Sequence, residues 1–347
     1  MDARPNPTAG SRTLDPGAAS ALELLKAGRR FLLCGHVRPD GDCLGSEAAL
    51  ARVLAKLGKS VEVVNPDPID PRFAYLEEAC AFQSFKSALP DHDVAVLLDF
   101  CEIERTGPMA APLRRAASKK VVVDHHISHG AAWWDAAFVD STASATGVLV
   151  RRVADALGVP VDAAAAKGVF TSLVTDTGWF KYSNTDAETL RVAAEMVALG
   201  ANPNAIYAAL NQTRPKEHPL FIGRLLTRAE FLADDRLAIV DLPLSEGFAS
   251  EQLDSDEVLD ILRSVATVEV VLYLRELPDG TCKLSARSKG AYDVNALART
   301  FGGGGHKKAS GATLKGTLAA ARARVVEAAL AGFHAGSLEG AGQPDAR

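Results

Sequence analysis

Three histidines and five aspartates, His36, Asp40, Asp42, Asp99, Asp124, His125, His126 and Asp176, fall in four short polar clusters of this 347-residue chain. The clusters read HVRPDGD over 36–42, Asp99 closing DVAVLLD, DHH over 124–126, and TDTG over 175–178. Imidazole and carboxylate donors without a thiolate suit Mn2+, with Mg2+ or Co2+ as alternatives. That many carboxylates gathered at one place would repel one another by several kcal/mol unless cations lay between them. A carboxylate shared by two ions fits a two-metal hydrolase, with the ions about 3.5–4 Å apart.

Each cluster follows an apolar run or a helix, and those elements must deliver it. The runs at 30–35, 60–65, 93–98 and 120–123 are short and continuously apolar, as parallel strands covered on both faces are. Helices are expected at 18–28, 47–57, 143–158, 162–174 and 186–199. In an open α/β sheet the carboxyl ends of the strands form the ligand crevice, so three strands bring their polar residues to one edge and a helix end adds Asp176. Gly200, Asn202, Pro203 and the pair Arg214-Pro215 break the pattern and place a linker across 201–219. Beyond it come a helix at 220–232, strands at 237–241, 269–276 and 281–288, a helix at 294–301 running into a glycine loop, and a last helix at 318–333. The fold class is therefore α/β: a parallel-sheet domain over 18–200, then a smaller α+β domain over 220–335, between a disordered leader (1–17) and a flexible tail (336–347).

Composition narrows the substrate. With 43 acidic against 38 basic residues the net charge is −5, whereas a protein that tracks a long nucleic-acid backbone needs a basic stripe. A short substrate is expected instead, and no long duplex. No apolar run approaches the roughly 18 residues of a membrane span, and the N-terminus lacks a signal-peptide core, so the expected location is the cytoplasm. Five cysteines, an odd number without paired short spacing, are expected to be small core or loop residues. Trp133, Trp134 and Trp179 are expected in the core rather than stacked on bases, and His92, His129 and His218 on the surface. The basic concentration is Arg287 and Lys289, flanking Ser288, with His306, Lys307 and Lys308 after the glycines 302–305. Glycines such as Gly303, Gly304 and Gly305 let backbone N–H groups approach a phosphate, and Arg offers a bidentate fork. The loop is not a Walker A motif, because Lys307 follows His306 and precedes Lys308.

The motifs HVRPDGDCLGS, LLDF, VVVDHH and TDTG, in that order, resemble those of the DHH phosphoesterase family. SARSKG and FGGGGHKKASG resemble its associated C-terminal domain, DHHA1, so the likeness runs from about 29 to 314. The resemblance implies an active site in the cleft between the two domains. It makes His36 and Asp40 ligands of a first metal, and Asp42, His125 and Asp176 ligands of a second. Asp99 would bridge them, Asp124 would orient the histidines, and His126 would face the substrate phosphate. The charge pattern itself, apart from the resemblance, leads us to expect that Arg287, Ser288, Lys289, Gly303, Gly304, Gly305 and His306 hold a terminal 5′-phosphate. Within the family, length and domain pair are most similar to the nanoRNase/pAp phosphatase branch. That branch degrades short single-stranded RNA oligonucleotides to 5′-mononucleotides and removes the 3′-phosphate of 3′-phosphoadenosine 5′-phosphate (pAp), a nucleotide bisphosphate. Two divalent ions would supply the activated hydroxide. Cyclic di-AMP hydrolysis is the rival of the same chemistry, and a nucleotide-binding regulator without catalysis the rival of another class. A role in editing mischarged tRNA, suggested by the glycine-histidine loop alone, would leave the aspartates unexplained. No membrane is implied, and a homodimer is left open.

Overall fold

The computed structural model describes residues 16–126, 131–246 and 255–339, so the expected leader and tail fall largely outside the described residues, as does His129. The chain divides into two compact units between Thr213 and Arg214.

The first unit opens with helix α1 (Pro16–Ala27), strand β1 (Arg30–Cys34), helix α2 (Gly41–Lys56) and strands β2 (Ser60–Asn65), β3 (Phe82–Ser84) and β4 (Val94–Leu98). Helix α3 (Ala110–Arg115), strands β5 (Lys119–Asp124) and β6 (Ala136–Val139), and helices α4 (Thr146–Ala156), α5 (Ala163–Asp176), α6 (Ala187–Ala198) and α7 (Pro203–Asn211) follow. All six strands run parallel in the order β3-β2-β1-β4-β5-β6. Alternate residues of each strand enter separate cores, which is why the strands read as unbroken apolar runs. Leu33, Val96 and Val123 meet Leu44, Val148 and Leu173 on one side, while Leu32, Leu97 and Val122 meet Ile103, Met109 and Leu113 on the other. The strand order reverses between β1 and β4, and such a switch point opens the crevice in which doubly wound sheets bind ligands.

Several boundaries differ from those the sequence suggested. Helix α2 starts at Gly41 rather than 47, because the Asp40 side chain caps it, accepting from the N–H groups of Asp42 and Cys43 at 3.0 and 3.1 Å. Asp42 therefore stands in the first turn of a helix, not in a loop. Strands β3 and β6 went unread; at three and four residues on the sheet edges they carry little apolar signal. The segment 201–219, expected as a linker with a short helix in it, contributes that helix, α7, to the first unit, where Ile206 and Leu210 are buried in the core.

The second unit comprises helix α8 (Glu217–Leu226), strands β7 (Glu230–Leu232) and β8 (Leu237–Leu242), helix α9 (Ser255–Arg263) and strands β9 (Val270–Glu276) and β10 (Thr281–Ser288). Helix α10 (Val294–Arg299), strands β11 (Gly304–His306) and β12 (Ala309–Lys315), and helix α11 (Leu318–Glu339) complete it. The sheet order is β11-β12-β10-β9-β8-β7, antiparallel except where β8 meets β9. Helices α8 and α9 cover one face through Phe221, Leu225 and Leu259, and α10 and α11 the other through Val294, Leu297 and Val325. Residues 230–232, expected to end a helix, form a strand instead, paired with β8. The expected glycine loop is a hairpin: Gly304 pairs with Gly311 and His306 with Ala309, leaving Lys307 and Lys308 as the turn. His218, expected at the surface, is buried with its Nε2 2.7 Å from Glu257 on α9. No helix among the described residues is long and apolar enough to cross a membrane.

Helices α2 and α5 approach backbone to backbone. A Cβ on Gly45 would lie 2.4 Å from the carbonyl oxygen of Gly168, and one on Gly168 would lie 2.5 Å from that of Gly45. Gly168→Ala should therefore force the helices apart and destabilise the fold by about 1–3 kcal/mol, the usual penalty of overpacking. Urea unfolding checks this; an unchanged midpoint would contradict the close approach.

Candidate metal centre

The carboxyl ends of β1, β4 and β5, the start of α2 and the end of α5 bring the six expected ligands together in two groups. His36, Asp40 and Asp99 form one; Asp42, His125 and Asp176 form the other, with the ligand atoms of each group within 4.8 Å of one another. Asp99 reaches into both, its Oδ2 3.5 Å from His36 Nε2 and its Oδ1 3.5 Å from His125 Nε2. Around His125 Nε2 stand also Asp42 Oδ2 at 3.4 Å and Asp176 Oδ2 at 3.9 Å. Asp99 has a φ of 70°, a left-handed conformation that turns the chain off β4 and that Asp tolerates better than most residues.

The histidine rings show what the groups are built to hold. His36 Nδ1 lies 2.9 Å from the carbonyl of Val37, and His125 Nδ1 lies 3.2 Å from that of Ala143. A carbonyl only accepts, so each Nδ1 carries a proton, and in the neutral ring each Nε2 is left with a lone pair to offer. Both Nε2 atoms are buried without a hydrogen-bond partner. Lone pairs of imidazole and carboxylate that converge in this way have a natural partner in a cation. The donor set thus fits one divalent ion per group.

Asp124 differs from expectation. It holds His126 alone, through His126 Nδ1 at 2.8 Å and the His126 N–H at 3.1 Å, while the backbone orients His125. The thiol of Cys101 donates to the other Asp124 oxygen at 2.9 Å, a contact with no signal in the local pattern of residues. Trp133 and Trp134 pack partly buried against the second core, and Trp179 against the first. After Asp176 the chain turns through Gly178, Trp179 and Phe180, all left-handed at 55°, 59° and 64°. That strained turn returns Asn184, whose Nδ2 donates to Asp176 Oδ2 at 3.0 Å and to the carbonyl of Ser144 at 3.0 Å. Arg105 was also missed. Its carbonyl accepts the Val37 N–H at 2.7 Å, and its charge opposes protonation of His36.

Without a cation, imidazolium takes its place. Burial disfavours a charged His125, yet Asp99, Asp42 and Asp176 raise its pKa to about 10. His36 is also raised, Asp99 and Asp40 outweighing its burial. Asp99 is held below the usual carboxylate range in spite of burial, by His125 and His36. Burial and the Asp99 charge push Asp42 well up, and burial above all lifts Asp176 to about 6.

In the second unit Arg287, Ala309 and His306 occupy one row across β10, β12 and β11, and so share a face of the sheet. Ser288 and Lys289, expected to meet substrate, are occupied elsewhere. The Ser288 hydroxyl donates to Tyr292 O at 2.8 Å, and Lys289 Nζ donates to the carbonyls of Arg263, the last residue of α9, and of Val265 and Ala266 just after it. Gly303 and Gly305 serve the hairpin itself, since a Cβ would meet Gly311 O at 2.1 Å and Ala309 O at 2.6 Å. Gly304 is open on that side, and His306 is exposed.

A parallel sheet with these paired groups at its switch point, followed by a mixed sheet with a glycine hairpin, defines a class of protein. The chain belongs to the DHH family of phosphoesterases: residues 30–201 match the DHH family N-terminal domain and residues 236–333 the DHHA1 domain. A Thermus thermophilus protein named bifunctional oligoribonuclease and PAP phosphatase NrnA is 35% identical over 308 residues, 88% of this chain and 91% of its own length. An exopolyphosphatase-related protein from Bacteroides fragilis superposes with a TM-score of 0.84 at 25% identity, over 91% of this chain and 96% of that one. RecJ from Thermus thermophilus, crystallised with Mn2+, shares the fold at a TM-score of 0.53 and 18% identity, over 91% of this chain and 55% of RecJ.

Cation binding should release protons at pH 7, chiefly from His125, whose raised pKa keeps it protonated in the metal-free protein. The signs are opposite for its neighbour. A raised histidine stabilises the metal-free fold below its unfolded pKa and ceases to do so as pH rises through about 10. A raised Asp176 costs the metal-free fold stability as pH rises to about 6, because burial penalises its charge by more than the nearby His125 offsets. Stabilisation by Mn2+ should therefore be larger at pH 8 than at pH 5. Calorimetric titration in two buffers of different ionisation enthalpy, with melting curves at both pH values, checks this; no proton release would contradict it.

Proposed function

We propose that this chain is a metal-dependent hydrolase that cleaves short RNA oligonucleotides to 5′-mononucleotides and removes the 3′-phosphate of pAp in the cytoplasm. The observation that carries the proposal is Asp99, one carboxylate facing both histidine-aspartate groups. The name of the Thermus relative, aligned over most of both chains, supports the choice of substrates. Both reactions break the bond between phosphorus and a ribose 3′-oxygen, so one centre serves both.

His36, Asp40 and Asp99 would hold one Mn2+, and Asp42, His125, Asp176 and the shared Asp99 a second. When bound, the pair supplies positive charge to the phosphate oxygens and lowers the pKa of the attacking water. The chain's own residues do the rest. Asp124 fixes the His126 ring by its Nδ1, so that Nε2 is the atom that donates to a phosphoryl oxygen or to the departing 3′-oxygen. The Arg105 charge, felt at His36, would also favour an anionic phosphate at the centre. Arg287 and His306 would hold a terminal phosphate and limit the substrate to a few nucleotides.

Asp99→Ala removes a ligand from both groups at once and should abolish turnover, by at least about a thousandfold. Activity within a few-fold of wild type at saturating Mn2+ would remove the basis of the two-ion centre. On wild type, turnover should fall steeply from RNA dimers through pentamers to a 24-mer, with pAp hydrolysed and cyclic di-AMP cleaved poorly. A preference for cyclic di-AMP would move the assignment to the other phosphodiester substrate. Arg287→Ala should raise KM roughly ten- to a hundredfold for a 5′-phosphorylated dimer and hardly alter an unphosphorylated one, as loss of a charge-assisted contact worth about 1.5–3 kcal/mol requires. Equal losses on the two dimers would count against the phosphate contact.

A further inference from the structure

Helix α4 begins without a cap of its own, since Ala145 at the cap position has no side-chain oxygen to offer. Other helices satisfy its first N–H groups instead. The N–H of Thr146 donates to Asp42 Oδ2 on α2 at 2.9 Å, and that of Gly147 donates to Ser172 Oγ on α5 at 2.8 Å. Ser172 Oγ donates onward to Asp42 Oδ1 at 2.5 Å, and Ser46 Oγ donates to the same oxygen at 3.2 Å. The Thr146 hydroxyl donates to Asp99 Oδ1 at 3.2 Å. Ser46, Thr146 and Ser172 are wholly inaccessible to solvent, so water does not compete for these bonds.

We propose that Ser172, acting with the N-terminus of α4, is a positioning residue that fixes which oxygen of Asp42 faces the second cation, an inference that rests on the two-ion reading above. A carboxylate oxygen has two lone pairs. Two hydroxyl donors occupy both on Oδ1, whereas Oδ2 accepts one bond from Thr146 and is the oxygen 3.4 Å from His125 Nε2. Asp42 is thereby restricted to a one-oxygen ligand of set direction. The positive end of α4 also lies against the carboxylate, favouring its charge. Through Thr146 the same helix end reaches Asp99, so one turn of α4 sets a ligand of the second group and the carboxylate shared by both. The hydroxyl can reach Asp42 because Gly45 and Gly168 let α2 and α5 close up beside it.

The test is manganese binding by metal-stripped wild type, Ser172→Ala and Ser172→Cys, with free Mn2+ followed by electron paramagnetic resonance and melting curves recorded in chelator. Wild type should take up two ions. In Ser172→Ala one of the two should bind about 10- to 100-fold more weakly, as loss of an outer hydrogen-bond partner generally causes, with the other unchanged. Ser172→Cys keeps a weaker donor and should recover part of the loss. Unchanged affinities in both variants, or equal weakening of both ions together with a lower melting temperature, would overturn the proposal in favour of a purely structural hydroxyl. If Ser172→Ala does not fold, Ser172→Cys decides by the same criteria. A wild type that takes up no manganese refutes the two-ion reading and this proposal with it, an outcome distinct from two ions bound alike in every variant.

Discussion

Four carboxylates, Asp40, Asp42, Asp99 and Asp176, stand around two imidazoles, and their mutual repulsion is the force that the first domain has to balance. Water cannot do it, because Asp42 and Asp99 are only 2% and 3% exposed. Raised histidines, the hydroxyls of Ser46 and Ser172 and the N-terminus of α4 each offset part of it. None of these supplies as much charge as a divalent ion. A divalent ion held there would relieve a strain already built into the protein, and its binding would be coupled to folding.

The sheet makes such crowding achievable. A switch point leaves neighbouring strand ends free of a crossover connection, so β1 and β4 release their chains side by side. Motif residues separated by more than a hundred positions then meet within a few ångströms. The second domain solves a different problem, setting Arg287 of β10 and His306 of β11 in one row on either side of Ala309, and its glycines serve the tight pairing of the hairpin that carries His306.

The parts of this design visible in the sequence are those written in local pattern. Val121, Val122 and Val123 read as a doubly covered strand because every side chain enters a core. The acids and histidines were visible because few other roles explain so many of them at strand ends. Start of α2 at Gly41 was hidden by a Pro-Asp-Gly-Asp run that resembles a turn until Asp40 is seen capping the helix. Ser172 and Thr146 look in the sequence like ordinary small polar residues; only packing of α2, α4 and α5 brings them to Asp42. Lys289 shows the converse, a lysine placed by charge pattern near phosphate whose ammonium instead serves backbone carbonyls.

The left-handed backbone at Asp99 bears on how this position can drift under mutation. Side chains other than glycine, asparagine and aspartate fit that conformation poorly, whatever their chemistry. Most single-codon changes there would thus disturb the exit of β4 as well as the charge, and selection for folding alone would remove them. Asparagine is the quiet exception. It keeps the turn and an acceptor oxygen while losing the negative charge, so a descendant of this chain that abandoned hydrolysis but kept its fold would be expected to carry asparagine at 99.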